Sequence, residues 1–131
     1  MAPTPAIAEP GHSLVRHAEL AYEGAVSDPR SYMAATRILI EESRRRGDHE
    51  ALVVALHALG WIEHLLVGNH AARQRLDAAV RVAERHGLTR RLPELLASRA
   101  AVNHELGRMT AAHHDLDQAL AFAKTLPTNG C

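Results

Sequence analysis

The chain has 131 residues, 47% hydrophobic but only 3% aromatic, and its 15 Lys+Arg are matched by 15 Asp+Glu. That size supports one domain with a modest core. Zero net charge with histidine neutral argues against nonspecific nucleic-acid binding, because no global positive field draws a polyanion. A lone cysteine, Cys131, excludes an internal disulfide, and no apolar run approaches the length that spans a bilayer.

The chain opens with "MAPTPAIAEPGH". Pro3, Pro5 and Pro10 interrupt it and no basic residue precedes its weak apolar stretch. It reads as a disordered Pro/Ala-rich tail over 1–12, not as a signal peptide, and the expected location is cytoplasmic. Helical periodicity then predicts six helices at 13–26, 30–46, 49–67, 70–86, 92–106 and 110–124. The breaks agree with this division. Ser27-Asp28-Pro29 supplies an N-cap followed by proline in the first helical turn. Gly47-Asp48 ends one helix and caps the next, and Gly68, Gly87 and Gly107 punctuate the rest. No segment alternates as a half-buried strand would. Residues 127–131 read as a flexible C-terminus, too broken by Pro127 for a seventh helix.

The second half of the chain repeats itself at a lag of 40 residues. Leu56 falls on Leu96, Gly60 on Ala100, His64 on His104, and Ala72 on Ala112. Leu76, Asp77 and Ala79 fall on Leu116, Asp117 and Ala119. The first unit is fainter: Leu20, Ala21 and Tyr22 fall on Leu59, Gly60 and Trp61 at a lag of 39, while Ile40 and Ser43 fall on Val80 and Ala83 at 40. Small and apolar residues recurring at one fixed period mark stacked structural units. The units are about 13–47, 48–87 and 88–126, together one repeat domain over 13–126.

These residues resemble tetratricopeptide repeats, whose pattern sets W-x2-L-G-x2-Y on one helix and A-x3-F on the next. The second unit supplies Leu56, Leu59, Gly60 and Glu63, then Ala72, Leu76 and Ala79. The third supplies Leu96, Arg99, Ala100 and Asn103, then Ala112, Leu116 and Ala119. Leucines stand in for the aromatics, Glu63 and Asn103 for the tyrosine, and the usual proline is missing. The long, alanine-rich units ending in "AERHGL" are similar in texture to divergent repeats of large actinobacterial proteins. There a repeat array often precedes a caspase-like protease, an ATPase switch or a transcription-activator module. HEAT-type helical pairs are the structural alternative. The resemblance implies an all-α fold, a right-handed α-solenoid of three antiparallel helix pairs. Gly60 would lie against Ala72, and Ala100 against Ala112.

The resemblance also implies that the first helix of each pair lines a concave groove. The positions carried over are Tyr22, with Ala18, Ala25 and Val26, in the first unit. The second gives Val54, His57, Ala58, Trp61, His64 and Leu65; the third gives Glu94, Ala97, Ser98, Ala101, His104 and Glu105. Trp61, the only tryptophan, is expected at the groove's centre with Tyr22 on one side and Ala101 on the other. The alternative is a tryptophan in a helix interface. His57, His64 and His104, with Glu105, raise the question of zinc. However, His57 and His64 are two turns apart, about 10 Å, and neighbouring helix axes add roughly as much. A solvated imidazole is therefore the default for each, a polar contact to the groove's ligand is the alternative, and neither metal nor cofactor is expected. Arg44-Arg45-Arg46 and Arg85, Arg90 and Arg91 fall at turns between units, where they complement helix C-termini. His113-His114-Asp115 reads as an exposed face.

No nucleophile elbow, phosphate loop or built cysteine site appears, so no catalytic residue is named. The expected function is a non-catalytic scaffold that holds a peptide or helix of a protein partner, with no nucleic acid or membrane involved. The alternatives are self-assembly, a regulatory repeat module of a larger protein, and a small-molecule or metal sensor. In the last helix, Leu116, Ala119, Leu120 and Ala123 are expected to face their own unit, leaving Ala112 and Phe122 near the surface. That end would then pair in a homodimer through the last helix pair or continue into a longer protein. The second is preferred, because the array stops where a further repeat would begin.

Overall fold

The computed structural model describes residues 13–126; the tail assigned to 1–12 and the flexible end assigned to 127–131 lie outside them. Among the described residues the regular structure is all helical. The elements are α1 (Leu14–Ser27), α2 (Pro29–Arg46), α3 (His49–Leu66), α4 (Asn69–Arg85), α5 (Leu92–Glu105) and α6 (Met109–Thr125). A single 3-10 turn, Thr89–Arg91, leads into α5 and was not foreseen.

Local chemistry sets the ends. The Ser13 hydroxyl accepts the Arg16 N–H, and Asp48 accepts the Ala51 N–H at 3.0 Å. Each satisfies an orphan donor of a first helical turn. Asp28 caps α2 in the same way, with Pro29 pre-set for the helix. Gly47 takes φ +65°, and the following N–H, that of Asp48, donates to the Ser43 carbonyl at 3.0 Å. Leu88 N–H to Ala83 and Arg108 N–H to Asn103 repeat that bond after Gly87 and Gly107. Glycine serves here because a Cβ disfavours the left-handed conformation.

The helix at the centre is α3. It packs on α1, α2 and α4, and every residue from Ala51 to Gly60 is buried. That burial on several sides explains why "ALVVALHALG" carries no polar stripe. Helix α2 lies against α3, and α4 lies against α5. In contrast, α5 meets α3 only narrowly, although it packs broadly on α4 and α6. The third pair thus joins the others chiefly through α4, and an opening remains between α1, α3 and α5.

Several expectations about packing are corrected. A Cβ on Gly60 would meet the Leu76 side chain at 3.1 Å, so Leu76, not Ala72, fills the space the glycine leaves. In α6, Leu116 and Leu120 are 46% and 61% exposed instead of facing their own unit. Ala112 is buried and Phe122 packs against the core. Asp115 is also buried, not on an exposed face with His113 and His114. The reason is an ion pair. The Arg99 guanidinium donates to both Asp115 oxygens at 2.8 and 3.0 Å and to Asp77 at 3.1 Å. Asn103 adds a bond to Asp115 at 3.1 Å. Leu116 and Leu120 lie on another face of α6, which no helix covers among the described residues.

Candidate functional site

The opening between α1, α3 and α5 is a cavity of about 300 Å³. Helix α1 presents Arg16, Glu19, Tyr22 and Glu23 at one-turn spacings. Val53, Val54 and His57 come from α3, and Arg91, Glu94 and Leu95 from the 3-10 turn and α5. Val53, Val54 and Leu95 form an apolar floor, each less than 10% exposed.

His57 sits in the wall. Its ring centroid lies 4.5 Å from that of Tyr22, and its Nε2 is 2.8 Å from the Ser98 hydroxyl. Burial, reinforced by the positive charge of Arg91, lowers its pKa to about 4, so the imidazole is neutral at pH 7. The expected solvated histidine is therefore a buried one, joining α3 to α5 where those helices otherwise hardly touch. Burial, and then the charge of Glu94, raise the pKa of the Tyr22 phenol, while a bond with Ser98 works the other way. Both rings at this wall stay uncharged at neutral pH.

The rim carries charge. Arg91 donates to Glu50 at 2.9 Å and to Glu19 at 3.0 Å, tying the 3-10 turn to α3 and α1. It was expected to complement a helix end; instead it links three elements. Arg16 also approaches Glu19, at 3.6 Å. Glu23 and Glu94 are exposed and have no cation bound to them among the described residues. The groove thus offers an apolar floor, one aromatic face and two open carboxylates.

Of the residues carried over, Tyr22, Val54, His57, Glu94 and Ser98 come together here. Trp61, expected at the centre, does not line this cavity. It is half-buried a turn further along α3, 5.3 Å from the His64 ring, and its indole N–H is buried without a hydrogen-bond partner among the described residues. His64 Nδ1 is 2.6 Å from the Asn69 amide oxygen, and the Asn69 amide donates to Glu105 at 3.0 Å. His104 is exposed. The histidines do not converge, and no group of three metal-ligating side chains is placed to hold an ion among the described residues. Ala18, Ala25 and Ala58, carried over as groove positions, are fully buried between helices.

Sequence reasoning missed Arg16, Glu19, Glu23, Val53, Arg91 and Leu95. The spacing of Arg16, Glu19 and Glu23 marks one face of α1 and was available as a signal. The correspondence of Tyr22 with Trp61 hides it, because Tyr22 lies against His57, one turn before Trp61. Arg91 could not be found that way, since the turn that aims it has no counterpart in the repeat. No protein-family model matches the chain, and neither a curated protein nor a solved structure matches it.

Proposed function

We propose that this protein is a non-catalytic interaction scaffold whose groove between α1, α3 and α5 holds an extended segment or helix of a partner protein. In this reading the three helix pairs form a right-handed solenoid of the tetratricopeptide type, with the first helices on the concave side. The observation that carries it is the cavity itself. Its lining comes from all three successive units, and five of the residues carried over as groove positions meet there. An apolar floor with a few directed polar groups suits recognition more than reaction. Glu23 and Glu94 beside the Tyr22 ring favour a segment with a lysine or arginine, which gains ion pairing and a cation–π contact together.

The test is peptide selection on the full chain, followed by affinity measurement of the winners. Basic-residue peptides should emerge. Tyr22→Ala and Glu94→Lys should each weaken them by about tenfold or more, as centrally placed contacts do. Selected peptides that bind both variants as well as the parent would remove this groove as the site.

A further inference from the structure

The repeat supplies an internal control on the last helix. Three register positions recur at a spacing of 40: Thr36, Ile40 and Ser43 in α2, Leu76, Val80 and Ala83 in α4, and Leu116, Leu120 and Ala123 in α6. In α2 they are 0%, 6% and 1% exposed, and in α4 they are 2%, 3% and 0%. In α6 the two leucines are 46% and 61% exposed, and Ala123 is open as well. Met109, 47% exposed, extends the same stripe by two turns. The environments differ on the far side of the helix. Helix α2 carries α3 on its far side and α4 carries α5, whereas α6 carries no such helix among the described residues.

The charge pattern repeats with the apolar one. Asp77 on α4 receives Arg99 from the helix that packs on it, at 3.1 Å. Its counterpart one period later is Asp117, exposed on α6 beside Leu116 and Leu120, with no cation bound to it among the described residues. We propose that this open stripe of α6 receives an amphipathic helix of a partner polypeptide, with aliphatic residues on its contact face and an arginine that meets Asp117. The docked helix takes the place on α6 that α5 takes on α4. A second copy of this chain is a poor occupant, because α3 and α5, its helices of that chemistry, are already enclosed in its own stack. The surface is separate from the groove and does not depend on it.

The probe is a side-chain-stapled peptide with the α5 sequence, residues 92–105, its helicity verified by circular dichroism and its binding to the full chain followed by fluorescence anisotropy. Saturable binding is expected. Leu120→Glu, at an exposed position, should keep the fold and weaken binding about tenfold or more. Asp117→Arg should weaken it too, and a peptide carrying Arg99→Asp should recover affinity for that variant alone. A helical peptide that does not bind, or that binds equally well after Leu120→Glu, overturns the proposal. So does light scattering that shows a dimer of the parent chain dissolved by Leu120→Glu, which would assign the stripe to a second copy.

Discussion

His57 is neutral because an imidazolium there would lose its water and face Arg91. The unfolded chain binds a proton near pH 6.5, and the folded chain only near pH 4. The folded pKa is depressed, so the stabilisation from this group is complete above about pH 6.5 and is lost as pH falls toward 4. Between pH 7 and pH 5 the linkage amounts to about 2 kcal/mol. Urea unfolding at the two pH values should show that loss in the parent. His57→Gln should show correspondingly less, the remainder coming from carboxylates common to both proteins. Identical pH dependence in the two would mean that His57 is hydrated in solution. The same protonation would place a cation beneath Tyr22, so a basic segment should also bind the groove more weakly as the pH falls.

Between elements, two glycines set how closely helices approach. A Cβ on Gly24 of α1 would collide with the Tyr32 ring of α2, far inside contact distance. A Cβ on Gly60 would meet Leu76 at 3.1 Å, a tight fit that this buried side chain must relieve by a few tenths of an ångström. Gly24→Ala should therefore destabilise by about 1–3 kcal/mol despite alanine's better helix propensity. Gly60→Ala should be nearly neutral, its propensity gain offsetting the crowding. Gly60→Leu should cost about 1–3 kcal/mol by overpacking. Denaturant titrations rank the three. A Gly24→Ala protein as stable as the parent would show that Tyr32 has an alternative rotamer outside the α1–α2 contact. Restored stability in Gly24→Ala with Tyr32→Leu would identify the ring as the source of the strain.

Across the whole molecule, two arginines join elements that are distant in the chain. Arg91 ties the third pair to α1 and α3, and Arg99 ties α5 to α4 and α6. They are not equal in energy. Arg91 and its partners are partly exposed, a setting in which ion pairs contribute little. Asp115, by contrast, is 2% exposed and depends on Arg99 for most of its hydrogen bonding. Arg99→Met should therefore cost about 3 kcal/mol, because it leaves a carboxylate enclosed with only Asn103 to meet it. Pairing that change with Asp115→Leu should recover most of the loss. Thermal unfolding of the single and double variants checks this. A single variant within 0.5 kcal/mol of the parent, the range of ordinary surface changes, would mean that water reaches Asp115.

The helices were legible because their signals are local. Caps, glycines in the left-handed conformation and 3.6-residue periodicity act within a few residues, and the six helices fall within about two residues of where those signals place them. Five residues carried over from the resemblance, Tyr22, Val54, His57, Glu94 and Ser98, lie together at the cavity. The rest depends on rotation and distance between helices, which periodicity does not encode. One residue of misalignment turns a side chain about 100° around its axis. Trp61 is displaced differently, by one turn along α3, because His57 and not Trp61 meets Tyr22. Asp115 is enclosed because Arg99 receives it, and Leu116 and Leu120 stay open because no helix covers that side of α6 among the described residues. His57 became a buried link because α5 stands apart from α3 at the one place where Ser98 can reach across. The amino-acid sequence thus determined where the chain becomes helical. Long-range packing and ion pairing decided which faces those helices bury and which they leave open.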